Sequence, residues 1–344
     1  DQLSEKLAQL SASESAISVL APPQSQIEQS DLWGGVEEVI ENKVVQSARQ
    51  FTGRIQKGWR MSSYSALTRQ QSHSRIPLPG LDLEVVDEQE EQVDSEPQKN
   101  IFSFPKGARA GTFLHGLFEE LDFCSVDSLW LKDFLKEKLE LEGYEPDWQP
   151  VLTELIDEAL AVPLDAFGAR LGLLEPADCR VEMEFMMPAR GLDCRRVNQI
   201  ISADPLSSRA GLLEFDQLQG MLKGFIDLTF RFQGRYYVLD YKSNYLGDSL
   251  DDYGQQQMED AMIDHRYDFQ YQLYTLALHR LLKQRLPDYS YESHMGGVIY
   301  MFLRGVNKLN NGATGIFSCR PDAGLIEQLD SHFAGTPVEG VADV

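Results

Sequence analysis

The stretch KGFIDLTFRFQGRYYVLDYKSN, residues 223–244, decides how this chain is read. Two alternating runs flank Gln233-Gly234, which can form a two-residue turn with glycine supplying a positive φ. With the turn there, residues pair when their numbers sum to 467, so Asp227 faces Asp240 and Lys242 lies two positions further along the same face. Ile226, Leu228, Phe230, Tyr237, Leu239 and Tyr241 share the other face and turn into the core. Two carboxylates directly opposite each other, with Cβ atoms about 4.5–5.5 Å apart, destabilise a sheet. A divalent cation between them reverses that sign, and carboxylate oxygens are the ligands Mg²⁺ prefers. A metal held by two acids beside a lysine suits phosphodiester hydrolysis: the ion activates water and the ammonium steadies the charged transition state. The bland alternative, a same-face ion pair Asp240–Lys242 beside a solvated Asp227, requires two unmatched acids in register on strands whose other side is buried.

Outward from the hairpin, the pattern is mixed α/β. GTFLHGLFEELDF (Gly111–Phe123), LWLKDFLKEKLELEG and WQPVLTELIDEALAVPL place apolar residues at helical spacing. CRVEMEFMMPA alternates Val181, Met183 and Phe185 against Glu182 and Glu184, as a strand does. After the hairpin, one long helix is expected over roughly 255–286, then an apolar strand in GGVIYMFLRG. The fold class is α/β, a mixed central sheet flanked by helices.

The chain has 344 residues, 42% hydrophobic, with a net charge of -23. That average argues against nucleic acid, but the charge is segregated. Lys43 to Leu81 contains no acid and carries seven bases among Phe51, Trp59 and Tyr64, a composition that fits either DNA contact or a preceding domain. Ile76 to Gln98 contains no base, and eight acids fall between Asp82 and Glu96. Three segments are expected: 1–75, ending in the basic and aromatic stretch, with Ser62 and Ser63 as N-caps of a short helix; 76–100 as an acidic, proline-bracketed linker; and 101–344 as the globular domain that carries the hairpin. No apolar run is long enough for a membrane. Cys124, Cys179, Cys194 and Cys319 show no C-x-x-C pair, so a zinc or iron–sulfur site is not expected and a reducing cytoplasm is. G-x-x-x-x-G-K-[ST], an ATP-binding loop, is absent.

GFIDL followed by LDYKS resembles the PD-(D/E)xK nuclease pattern, a restriction-endonuclease-like fold. With FLHGLF, VEMEF, QYQLY and GGVIYMFLRGV, the blocks are similar in order and spacing to the nuclease domains of the bacterial RecB family, from exonuclease V (RecBCD). The resemblance implies roles residue by residue. Asp227, Asp240 and His115 would bind Mg²⁺, helped by the backbone carbonyl of Tyr241. Glu182 would be a further acid of the site, with Glu184 the lesser candidate; Lys242 would be the catalytic lysine; Gln270 and Tyr274, four apart on one helix face, would position the strand. Alone, His115 reads as a core histidine, Glu182 as a wet strand face and Tyr274 as packing. The resemblance also makes 1–75 the tail of a preceding helicase region and 101–344 the nuclease domain, and implies cleavage of DNA strands from an unwound duplex during Chi-regulated double-strand-break repair, with RecC and RecD subunits and RecA as partners. The rival readings are a non-catalytic docking module for RecA or sister subunits and a stand-alone restriction-type endonuclease.

Overall fold

The computed structural model describes Lys6 and residues 59–68, 99–123 and 126–335. The acidic linker and most of the basic stretch, including Phe51 and His73, lie outside the described residues, as does Cys124.

The hairpin forms as its sequence requires. Strand β3 (Leu218–Phe232) and strand β4 (Arg235–Lys242) pair antiparallel through Leu228↔Leu239, Thr229↔Val238 and Phe232↔Arg235, all summing to 467. Gln233 and Gly234 both have positive φ, 49° and 79°, the conformation of a two-residue turn whose twist matches its strands.

Around β3 a six-stranded mixed sheet assembles. Strand β2 (Cys179–Leu192) runs antiparallel along one edge of β3 for almost its whole length. The other edge is shared: strand β1 (Trp59–Ser63) pairs parallel with Gln219–Lys223, and β4 pairs with Leu228–Phe232. Strand β5 (Met295–Phe302) lies parallel to β4, and β6 (Ile316–Cys319) closes the far edge. Because β1 and β4 run in opposite directions along one edge, their C-terminal ends meet at the unpaired stretch Gly224–Asp227. The sheet opens there.

Helices cover both faces. On one side pack α1 (Tyr64–Thr68), α5 (Cys194–Ile201), α6 (Gln255–Asp264), α7 (Tyr267–Arg285) and α8 (Ala323–Ala334), over Leu222, Ile226, Val238, Val298 and Tyr300. On the other pack α2 (Ala108–Glu120), α3 (Ser128–Glu142) and α4 (Gln149–Ala161), over Leu228, Phe230, Leu239, Tyr241 and Met301. Each such side chain, withdrawn from water, contributes about 1.5–3 kcal/mol. Among the described residues no helix is long and apolar enough to cross a membrane.

Three features differ from the sequence reading. Trp59–Ser63, expected in the segment before the linker, is a strand of this sheet, Tyr64 and Leu67 are core residues, and Ser63 caps α1 by accepting from the Ala66 N–H; the expected boundary at 75/76 itself lies outside the described residues. The single long helix over 255–286 is two helices, broken at Arg266, whose φ of 59° is left-handed; its buried guanidinium bonds the Asp268 carboxylate and the Gly211 carbonyl, which holds the break. Ile226 does not share a face with Leu228 and Phe230: it packs with α7, they pack with α2–α4. The alternation reverses at Asp227, and on β2 it reverses opposite, at Glu182, whose φ of 49° is left-handed for a strand residue.

Candidate active site

At Asp227 the hairpin ladder ends. The last register pair is Leu228↔Leu239, and beyond it β4 stays with β5, Asp240 beside Tyr300 and Lys242 beside Phe302. The Tyr241 N–H, released from β3, donates instead to the Asp227 carboxylate at 2.8 Å. The splayed strands keep Asp227 close to Asp240 without the flat pairing expected from the sequence.

Asp240 and Lys242 are both buried, 2% and 3% exposed, which removes the reading of an exposed surface pair. The Lys242 Nζ stands 2.8 Å from Asp240 Oδ2 and 3.8 Å from the centroid of the Tyr267 ring, with Tyr300 behind it. A desolvated ammonium is well held between a carboxylate and aromatic faces. Asp240 Oδ2 nonetheless accepts no hydrogen bond of good geometry, so the ion pair satisfies its charge but not its lone pairs.

His115 reaches this point from the other layer. Gly111, one turn earlier on α2, lets the helix close on the end of β4, since a side chain there would meet the Ser243 hydroxyl at 2.8 Å. His115 Nδ1 then lies 3.5 Å from Asp227 Oδ2, and its ring stands edge-on to Tyr241. Arg304 ties the same region from behind. Its buried guanidinium donates to the carbonyls of Ser243, Ile101, Phe104 and Pro105, joining the residue after Lys242 to the segment leading into α2.

The charges are out of balance. Burial holds the Asp227 carboxyl well above the usual carboxylate range, and Asp240 and Glu182 add to this, against Lys242 and the Tyr241 N–H. Glu182 is pushed up to about 7 by burial, then by Glu119 and Asp240; it keeps more than a third of its surface in water, which screens the effect. Carboxyls raised by desolvation and mutual repulsion are those a hard cation would stabilise. Among the described residues no three of His, Cys, Asp or Glu are gathered at metal-holding distances. The donor set of three acids and an imidazole fits a divalent ion in kind, and the open lone pairs of Asp240 Oδ2 fit it in need.

The remaining expected residues divide. Glu184 turns away to Lys223, 2.9 Å distant. Gln270 and Tyr274 are buried behind Tyr300: the Gln270 amide donates to the Tyr274 hydroxyl at 2.9 Å, and the Tyr300 hydroxyl donates to Gln270 at 3.0 Å. They brace β5, the neighbour of the strand that carries Asp240, instead of presenting themselves to solvent. Sequence reasoning missed Glu119, Tyr267, Tyr300 and Arg304. Glu119 had a signal, being four residues beyond His115 on the same helix face; the others are neighbours only through the fold. His265 stacks on Tyr267 and contacts Asn244.

Comparison with known proteins places these observations in a family. Residues 88–341 match the model of the PD-(D/E)XK nuclease superfamily. The chain is 50% identical over 286 residues to the RecBCD enzyme subunit RecB of Escherichia coli K12, a match covering 82% of this chain and 24% of that protein. With the RecB subunit of Haemophilus influenzae the identity is 36% over 304 residues, covering 83% and 24%. With that of Mycobacterium tuberculosis H37Rv it is 31% over 325 residues, covering 82% and 29%. The chain spans about a quarter of the length of the curated relatives it matches.

Proposed function

The chain belongs to the PD-(D/E)XK nuclease superfamily, and from that membership we propose that it is a Mg²⁺-dependent deoxyribonuclease domain acting within a RecBCD-type helicase–nuclease. The observation that carries this is the junction where Asp227, Asp240 and Lys242 meet, buried and charge-imbalanced beside the opening between β1 and β4.

Asp227, Asp240 and His115 would hold the ion, with Glu182 and the Tyr241 carbonyl beside them. A divalent ion there would supply Lewis acidity toward a phosphate oxygen and offset the phosphodiester charge. The chain's own groups do the rest. The Tyr241 N–H fixes the Asp227 carboxylate. Lys242, its flexible stem restrained by Asp240 and Tyr267, presents a preorganised positive charge to the negative charge developing on the phosphoryl oxygens. Gln270, Tyr274 and Tyr300 keep β5, and with it Asp240, in place beneath the strand.

The substrate on this reading is a DNA strand released from an unwound duplex during double-strand-break repair, in the cytoplasm, with RecC and RecD as sister subunits and RecA docking to the same domain. The names of the relatives support the assembly. The test is cleavage of end-labelled DNA with Mg²⁺ by the parent chain and by Asp240→Ala. Full cleavage by a folded variant would sink the assignment. Calorimetric titration with Mg²⁺ separates it from a non-catalytic docking module, which takes up no metal.

A further inference from the structure

Among the described residues, one part of the sheet carries no covering layer. On β3, Met221, Lys223 and Phe225 alternate onto the side opposite Leu222 and Ile226. Register places Met61 beside Met221, Trp59 one row behind, beside Gln219, and Met186 beside Lys223. Trp59, Met61 and Met186 are 56%, 53% and 46% exposed, and neither Met221 nor Phe225 belongs to either core cluster or packs against one. Helices α2–α4 stop over Leu228 and Phe230 and do not reach these rows. Single exposed apolar residues need no explanation, but a contiguous three-strand face of Trp, Phe and Met marks a binding surface.

The direction of the face says what it binds. On β2 and β3 the next row after Phe225 and Glu184 is Asp227 and Glu182, where the alternation reverses and Asp227 meets His115. The surface therefore runs without interruption into the candidate active site. From the Trp59 row to Phe225 is six residues of strand, about 20 Å at about 3.3 Å per residue. Flat apolar side chains on an open sheet offer stacking faces to unpaired bases, and Lys223, 5.0 Å from the Phe225 ring, sets a cation beside one of them. A protein partner could cover an apolar face as well, but only a polynucleotide has to arrive at the residues where this face ends.

We propose that the uncovered sheet face bearing Trp59, Met61, Met221 and Phe225 is a stacking platform that guides single-stranded nucleic acid into the site at Asp227 and Asp240. The proposal rests on the nuclease reading above. The test uses the full 344-residue chain in chelator, where a fluorescent oligothymidylate can bind without being cut. Trp59→Ala and the fold-preserving Phe225→Leu should each weaken binding by about 5-fold to 100-fold, the range for loss of one base–aromatic stack. An oligomer of the same length made of abasic sugars should bind the parent weakly and be indifferent to both substitutions. With Mg²⁺ the variants should raise KM more than they lower kcat. Unchanged oligothymidylate affinity in both variants would overturn the proposal, as would sedimentation showing that they abolish a self-association while strand binding is untouched. Asp240→Ala separates the two readings: cleavage that survives it refutes the nuclease assignment, while strand binding in chelator still reports on the platform alone.

Discussion

Two buried ion pairs sit on either side of helix α7's first turn, and they are built differently. Arg266 and Asp268 form a closed set. The guanidinium meets the carboxylate at 3.0 and 3.2 Å, the Ser207 hydroxyl donates to the same carboxylate at 2.6 Å, and Arg266 also donates to Gly211. Lys242 and Asp240 form an open set. One lysine faces Asp240 with Asp227 and Glu182 nearby, and Asp240 Oδ2 lacks a well-directed donor. Buried charge is tolerated when its partners and lone pairs are matched. The first pair meets that condition inside the protein; the second meets it only with something added. On the proposed function, that difference separates a pair that maintains the fold from one that would serve chemistry.

The largest expected effect tests the closed pair. Asp268→Ala leaves Arg266 buried and uncompensated, which should cost about 3–5 kcal/mol in denaturant unfolding, with cleavage per folded molecule retained. Equal losses of activity and stability at this position would erase the distinction. Asp240→Ala should do the opposite: cleavage falling by about 100-fold to 1000-fold, with a smaller stability loss than Asp268→Ala because Asp227 and Glu182 remain to balance Lys242. A variant as unstable as Asp268→Ala would make Asp240 structural.

The pH dependence of the metal-free protein sharpens the comparison. Burial and neighbouring acids raise the folded-state pKa of Glu182 to about 7 and that of Asp227 as well. Carboxyls raised on folding contribute stability that is complete below their unfolded pKa, near 4.5 for Glu182, and lost as pH rises through the folded value. In chelator, the melting temperature should therefore fall between about pH 4.5 and 7. Glu182→Gln should flatten part of that fall, and Mg²⁺ should recover more stability at pH 7.5 than at pH 5. A flat profile without metal would mean that the acids are not crowded. The smallest effect belongs to Glu184, whose partner Lys223 is a surface cation: Glu184→Ala should change stability by less than about 1 kcal/mol and leave the cleavage rate within two-fold.

Much of the hairpin was legible because a period of two and a two-residue turn leave one register. The residues at its open end were legible as types but not as positions. Alternation predicts that Asp227 and Asp240 stand flat against one another and that Ile226 sides with Leu228. A left-handed residue at Glu182 and the departure of β4 from β3 reverse both. Neither event has a sequence signal, since glutamate is not a residue expected at positive φ. The break at Arg266 was hidden for a similar reason: α6 and α7 have compatible apolar spacing, and the interruption depends on Asp268 and Gly211, which only the fold brings together. Trp59–Ser63 was read as part of a preceding region because a five-residue edge strand is too short for its alternation to stand out from the basic stretch around it. His115 and Glu182 could be named only through family resemblance, as a lone histidine on an apolar helix and an acid on a half-wet strand have ordinary explanations.

Arg304 has a consequence for how the chain is made. The carbonyls it holds lie 199, 200 and 203 residues upstream. On a ribosome, the segment leading into α2 emerges long before the arginine that anchors it, and at 5–20 residues per second the interval is on the order of ten to forty seconds. During that time His115 has no fixed position relative to the residue after Lys242. The nascent chain therefore carries its acids, its lysine and its histidine unassembled until Arg304 has been made.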